Sequence, residues 1–544
     1  MTYLYNKDVN VLNGGTVVST SNRFPVTGDM TGSVTIVPES PATKITAFGE
    51  PLAITLTPVI QLDGIYGITP DVIQTYSNGT GAAAGGDLQM FYANTGTSVG
   101  GYGVVRSKRF IRYRAGQGAL GRFTAMFDDG IANSTLRAGL LSQEQALMFG
   151  YNGTQFGILR ANGGKAHITI LTINTAPTGS QVCTLTLNGV AHTVNVTSGT
   201  TTHAAVEIAN HVGGYTGWLV EQVDNTIVFL SSTLGAKNGT YSLAYVSGPG
   251  TQIAGTFSTK QLGVAQTEDW IPQYEWSEDT LGAINPATGT ADGPNPSGMT
   301  LNPDKLNVYQ INYRWLGAGQ LSFAVEDEAT GSMIFVHKIH YVNQNTVPHI
   351  ANPSFKVGYV AYSLGSTTNL TVRGASMMAA IEGDIRQNEL NRSHSVAISG
   401  TLAQNQLHHL MTVYNPLVTN GKSGALNGNY IINAKELLLK DISAALKSTD
   451  PAIIYIFFEP TSFSSTHEYT SSPKNNALVS TSTGTLDSTV DPAICQFAIG
   501  VNGQQQYPLS DFRVAVPPGS WISVGILSTA SIGTTNVSLV WSED

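Results

Sequence analysis

The sequence predicts a mainly β protein, a multidomain array of antiparallel β-sandwiches in which the first is interrupted by a small inserted module. Three observations point there. The chain has 544 residues, too many for one hydrophobic core, and 41% of them are apolar, so it divides into several folded units rather than staying disordered. Its 58 glycines beside only 12% charged residues describe a chain of many tight turns. The stretch from Arg106 to Ile158 alternates with period two: Phe110, Arg112 and Arg114 on one parity against Ile111 and Tyr113, then Phe123, Ala125 and Phe127 against Arg122, Thr124 and Met126. It ends in Met148–Tyr151, Asn152-Gly153 and Thr154–Ile158, which reads as a hairpin closed by an Asn-Gly type I′ turn.

Taken in order, residues 1–60 hold short β-prone pieces, such as Val9–Leu12 and Val34–Val37, with too little apolar surface for their own core. They read as an N-terminal β arm for docking and assembly. Residues 61–166 are the first part of a sandwich, entered through the loose linker Gly79–Gly86. Residues 167–266 change texture. Cys183–Leu187, Asn188-Gly189 and Ala191–Val196 form a second Asn-Gly hairpin, Thr201–Asn210 a short capped helix, and Trp218–Val223 with Thr226–Leu230 a strand pair around Asp224-Asn225. The plan is ββαββ, sized for insertion into a surface loop. The sandwich resumes over 267–383 with the alternating strands Asn307–Trp315, Gln320–Asp327 and Met333–Tyr341. After a polar hinge at Arg386–His394, residues 384–544 supply strands spaced as in one jelly-roll-like sandwich. Within it, Ala434–Leu446 fits either a helix or a strand and turn.

A net charge of −9 argues against sequence-independent binding of nucleic acid. The basic run Arg106, Lys108, Arg109, Arg112 and Arg114 reads as a solvated face with ion pairs. Two cysteines, Cys183 and Cys495, offer neither a disulfide framework nor a cysteine zinc site, and suit buried thiols in a reducing cytoplasm. The N-terminus lacks a basic region followed by an apolar one, and no apolar run is long enough to span a membrane. His337 and His340 are three apart on a strand and so face opposite ways, as do the adjacent His408 and His409; neither pair forms a metal site. Asp128-Asp129-Gly130 and Glu326–Glu328 read as turns rather than calcium loops. No nucleophile elbow, phosphate loop or zinc-protease motif is present, so the expectation is a protein without catalytic residues or cofactor. Tyr151, Asn152, Tyr309, Tyr313 and Trp315 are the candidates for stacking on and bonding to glycan, although aromatics in alternating strands more often pack in a core or across strands.

The run FIRYRAGQGALGRFTAMFDDGIANSTLRAGLL, the blocks NVYQINYRWLGAGQLSFAVEDEATGSMIFVHKIHY and NLTVRGASMMAAIEG, and their order resemble virion structural proteins of tailed phages and large double-stranded DNA viruses. The resemblance covers about Arg106 to Gly383. It implies a concanavalin A-like jelly roll in a spike, fibre or capsid-surface component, assembled in the host cytoplasm and resident in the virion. It also implies homo-oligomers, a trimer among them, other virion proteins as partners, and contact with host-surface glycan. The competing readings are a microbial extracellular glycan-binding adhesin and a polysaccharide-degrading enzyme on the same scaffold.

Overall fold

The computed structural model describes residues 12–13, 16–17, 56–314, 316–383, 391–398, 401–419, 430–471, 475–512 and 514–543. Among them, the strands between 56 and 382, apart from the inserted module, form two facing antiparallel sheets. One is seven-stranded, in the order Thr267–Pro272, Gln155–Asn162, Ala146–Asn152, Ser134–Leu141, Lys356–Ser363, Tyr102–Ser107, Ile73–Asn78. The other runs Met333–Ile339, Leu321–Glu326, Asn307–Tyr313, Ala119–Phe127 and then forks. Thr371–Gly374, Met90–Asn94 and Ala82–Asp87 follow one arm of the fork, Ser376–Glu382 and Leu56–Asp63 the other. The strand Leu56–Asp63 pairs with Ser376–Glu382 and so belongs to the sandwich. The expected arm of residues 1–60 therefore gives up its last residues; what lies outside the described residues within it is not placed.

Alternation is what packs these sheets together. Leu147, Phe149 and Tyr151 point inward from one sheet, Phe123, Phe127, Tyr309 and Phe323 from the other. Phe149 bridges the layers, with its ring centroid 4.8 Å from Tyr309 and 5.5 Å from Phe323. Edge-on and tilted contacts of this kind add to the burial of large rings. Where neighbouring strands come too close for a side chain, glycine is required. Gly150 has φ 151°, and a Cβ there would sit 1.9 Å from the Leu136 carbonyl oxygen.

The first hairpin differs from expectation by one residue. Asn152 pairs with Gln155, so the turn residues are Gly153 and Thr154, with positive φ at Gly153 alone. That is the type II′ pattern, with glycine first, rather than the type I′ turn read from Asn152-Gly153. The second hairpin matches: Leu187 pairs with Val190 around Asn188 and Gly189, both at positive φ.

The inserted module closes on itself at its base. Lys165 and Val264 exchange both backbone hydrogen bonds, at 3.0 and 2.9 Å, next to the pair Asn162 and Thr267 of the sandwich. Its sheets are Trp218–Val223, Thr226–Leu234, Ala166–Thr175, Ala254–Gln261 and Val190–Val196, Gln181–Leu187, Ser242–Ser247. The helix Thr201–Ala209 lies against them; Thr200 caps it, accepting from the His203 N–H at 3.0 Å. The ββαββ plan is thus too short by three strands. Ser242–Ser247 has an unbroken apolar run from Leu243 to Val246, Ala254–Gln261 carries few apolar side chains, and Ala166–Thr175 is buried on both faces, so none of the three shows clean apolar–polar alternation in sequence.

The C-terminal unit is a two-Greek-key jelly roll. Its eight longer strands are Asn391–Ile398, His408–Tyr414, Leu437–Ser448, Ala452–Phe458, Cys495–Ile499, Gln504–Pro508, Trp521–Ser528 and Ile532–Glu543. One sheet takes them in the order first, eighth, third, sixth, the other second, seventh, fourth, fifth. Leu437–Ser448 settles the undecided segment as a strand, with Leu437, Leu439, Ile442, Ala444 and Leu446 inward.

The module grows from the sandwich but docks on the jelly roll. Ile168, Ile170, Val228 and Leu230 pack against Val418 and Leu478. At the centre of that contact, Glu221 is buried and accepts from the Tyr414 hydroxyl at 2.5 Å and from the Leu417 and Val418 N–H groups at 2.5 and 3.2 Å. Burial pushes this carboxyl up to about 7, against the pull of its three donors. Glu221→Gln presents an amide NH2 to groups that are all donors. The variant is expected to destabilise the folded chain by about 1–3 kcal/mol, read as a lower denaturant midpoint. Unchanged stability would mean that this contact is dispensable.

Candidate functional site

The outer face of the seven-stranded sheet carries the cations that the sequence grouped as a solvated patch. Lys108 and Arg109 do form ion pairs, and the pairs cross to the jelly roll. Lys108 Nζ is 2.7 Å from Glu459, and Arg109 binds Glu436 through Nε and Nη2 at 3.0 and 2.8 Å. The strand Tyr102–Ser107 stops before them, and beyond it only Ile111 bridges, to Phe355. The apparent alternation of Phe110 to Arg114 is therefore a bent connection along a domain interface.

Between this face, the jelly roll and the module lies a cavity of about 400 Å³. Gln74, Tyr76, Arg106 and Lys356 come from the sheet, Trp521 and Asn433 from the jelly roll, and Leu219 and Leu230 from the module. The sheet positions its part by register. Gln74 is opposite Arg106, and Arg106 is opposite Gly358, two residues along the strand from Lys356 and on the same face. Gly358 leaves no room for a side chain between the cations: a Cβ there would meet the Val105 carbonyl oxygen at 2.3 Å and Arg106 Cβ at 2.7 Å.

Lys356 is 6% exposed. Its Nζ donates to Gln74 Oε1 at 3.3 Å and lies 4.6 Å from the centre of the Phe110 ring. The same Gln74 oxygen accepts from Arg106 Nε at 3.1 Å, and the Arg106 guanidinium lies over the Tyr76 ring at 4.9 Å. Two cations thus share one neutral acceptor. Burial drives the Lys356 ammonium well below its ordinary value, helped by Arg106 and Lys108 and opposed by Glu436. Trp521 Nε1, a buried indole N–H in the same wall, has no acceptor. Of the carboxylates in the lining, Glu459 is taken by Lys108. Glu144 accepts from the Ala166 N–H at 3.2 Å and is pushed up by burial.

The residues nominated from sequence lie elsewhere. Tyr309 and Tyr313 are 0% and 1% exposed, in the sandwich core, and cannot meet a glycan. Both share parity with Ile311, so the strand that buries one buries all three, and the Tyr313 hydroxyl is spent on the Pro353 carbonyl at 3.0 Å. Tyr151 is 9% exposed and stands edge-on to Phe127 and Phe156; burial, then Asp129 and Asp304, push its hydroxyl up to about 12. Asn152 is exposed at the strand end, and Trp315 falls outside the described residues. Asp128 accepts from the Thr371 N–H at 2.8 Å and pairs with Arg373 at 3.3 Å, so its carboxylate closes a turn. Among the described residues no cluster of three or more His, Cys, Asp or Glu is placed to hold a metal, and no helix is long and apolar enough to cross a membrane.

Sequence reasoning missed Lys356, Gln74 and Trp521. The only local signal is a lysine opening the apolar run Lys356–Ser363, and nothing in the chain tells which distant unit covers it.

No known protein-family profile matches the chain, and no curated protein matches it. Solved structures do, at low identity. Arcelin-5, a lectin-like defense protein from Phaseolus vulgaris, is 10% identical, covering 60% of this chain and 99% of its own, with a TM-score of 0.22. Peanut lectin is 11% identical over 60% of this chain and 100% of its own, TM-score 0.21. A triple-jelly-roll turret protein of an archaeal virus is 8% identical over 87% of this chain and 90% of its own, TM-score 0.14. At these scores the likenesses carry no argument; the sheets themselves make the chain mainly β, with a two-sheet antiparallel sandwich as its first unit.

The fold is also acid-sensitive, through histidines outside the cavity lining. His409 donates from Nδ1 to the Ser482 carbonyl at 2.7 Å and accepts at Nε2 from Thr412 at 2.8 Å, and His467 stacks on Phe463 at 4.2 Å. Burial lowers both to about 4, as it does His337 and His349. A histidine whose folded value lies below its unfolded value of about 6.5 adds stability that is full above that value and is lost as pH falls toward 4. Glu221, raised to about 7, and Glu144, also raised by burial, act in the opposite sense above about 4.5, but His167, His192 and His394 are lowered as well, so the imidazoles outnumber them. The melting temperature is expected to fall between pH 7 and pH 5, and His467→Phe to flatten part of that slope, each histidine contributing at most about 2 kcal/mol over that range. A flat profile over that range would contradict the assignment of neutral buried imidazoles.

Proposed function

We propose that the chain is a structural, non-enzymatic component of a virus particle surface, as a spike, fibre or capsid-surface protein, that also contacts host-surface glycan. On this reading it is made in the host cytoplasm, resides in the virion and associates with copies of itself and other virion proteins. The observation that carries the reading is the joining of a concanavalin A-like sandwich to a two-Greek-key jelly roll, a sheet pattern used by viral capsid and lectin domains. One fold hosts many roles, so the site must supply the rest. The ion pairs Lys108 to Glu459 and Arg109 to Glu436, with the buried Glu221 contact, tie three units into one body suited to bearing load in an assembly.

The absence of catalysis belongs to the same proposal. Its support is that several groups strongly shifted by burial, among them Glu221, His337, His409 and Tyr414, are engaged in hydrogen bonds within the packed structure.

The test is the assembly state by light scattering of the full chain and of a version lacking residues 1–55, which leaves the sandwich strand Leu56–Asp63 intact. An oligomer that becomes monomeric without those residues supports a particle component docked through its N-terminal segment. A monomer in both forms overturns that reading in favour of a free glycan-binding module.

A further inference from the structure

The junction cavity gathers two basic side chains, Lys356 and Arg106, around a single shared side-chain amide oxygen. An ammonium in a low-dielectric site is costly unless an anion or several acceptors compensate it. Lys356 has one neutral acceptor, at 3.3 Å, and shares it with Arg106. The acidic groups in the lining are Glu459, already held by Lys108 at 2.7 Å, and Glu144, held by the Ala166 N–H at 3.2 Å. The pattern is that of a site lacking an anion.

The rest of the wall argues for a sugar acid over a bare ion. A volume of about 400 Å³ exceeds what a carboxylate or phosphate alone fills and lies within the range of small-molecule sites. The faces of Tyr76 and Trp521 offer surface for a ring, and the Asn352 side chain in the lining offers a group suited to a hydroxyl.

We propose that this cavity binds a carboxylated monosaccharide, of the uronic or sialic acid class, with its carboxylate between Lys356 Nζ and Arg106 and its ring against Trp521. This deepens the glycan half of the function proposed above and is independent of the virion half. Sugar binding can fail while the assembly measurement succeeds, and the reverse.

The experiment uses the full chain at neutral pH, with binding followed by calorimetry and by thermal shift. Glucuronate and N-acetylneuraminate are the probes, with glucose, acetate and inorganic phosphate as comparisons. At least one sugar acid is expected to bind and raise the melting temperature, glucose and acetate not to, and phosphate to bind at least tenfold more weakly. Lys356→Met is expected to weaken sugar-acid binding about 10- to 100-fold. Without ligand it should melt at or above the wild type, because an apolar side chain of similar length replaces a buried charge. Trp521→Phe, which shrinks the ring face offered to the sugar, provides a second reading and is expected to weaken binding several-fold. The proposal is overturned if neither sugar acid binds, if phosphate or acetate binds as tightly as the sugar acids, or if Lys356→Met and Trp521→Phe both bind like the wild type.

Discussion

The seven-stranded sheet is covered on both faces, and much of the molecule follows from that constraint. Its inner face is closed by the aromatic belt around Phe149 and Tyr309. Its outer face carries Leu141, Met148, Leu159 and Ala161 toward one edge and Gln74, Arg106, Lys108 and Lys356 toward the other. An antiparallel sheet tolerates water on one face, so the outer apolar cluster could remain partly wet. The cationic edge could too, if it stood alone. Instead the jelly roll and the module close over that edge, and ionisable groups that would be ordinary surface residues become interface residues.

That closure divides the cations into two kinds. Lys108 and Arg109 meet Glu459 and Glu436 across the interface, so their desolvation is offset by pairing. Breaking either pair would leave a carboxylate behind in a poorly hydrated place, which is why such contacts fix the geometry of a junction more than they add to stability. Lys356 and Arg106 have no such partner. An apolar residue at 356 would serve packing at least as well, since a lysine with a single long hydrogen bond contributes little but a penalty. A chain that keeps such a residue in a walled cavity is best explained by something the cavity receives.

What could be read in the sequence followed the physics of single strands and turns. Alternation located Ala119–Phe127 and Asn307–Tyr313, and Asn188-Gly189 fixed one hairpin to the residue. Alternation also held the information that Tyr309 and Tyr313 share the core face with Ile311. The error was to weigh them as aromatics instead of by parity. The turn at Gly153-Thr154 was misregistered because Asn152 was assigned to the loop, although glycine in the first turn position is enough to close a two-residue hairpin. Strands buried on both faces were harder. Ala166–Thr175 packs the module core through Leu171 and Ile173 and the jelly roll through Ile168 and Ile170, so it reads as a plain apolar run. Lys356 was out of reach altogether: its environment is set by Gln74 and by Trp521, separated from it in sequence by hundreds of residues in one direction and the other.

The inserted module gives the same argument from a second direction. An insertion held only by its base, where Lys165 meets Val264, would be free to swing on two strands. Here a second attachment, around Glu221 and the Val418 and Leu478 contact, lies on a different unit. Two attachments to two bodies fix the position of the third, and they place Leu219 and Leu230 as the remaining wall of the cavity. The cavity is therefore a product of all three units in register. Any motion that separates the module from the jelly roll also opens the space around Lys356 to water, which lowers the cost of its charge and weakens its hold on an anion together. Rigidity of the junction and affinity of the site are in this way one property, and the buried carboxylate of Glu221, though absent from the lining, acts on the cavity by keeping its wall in place.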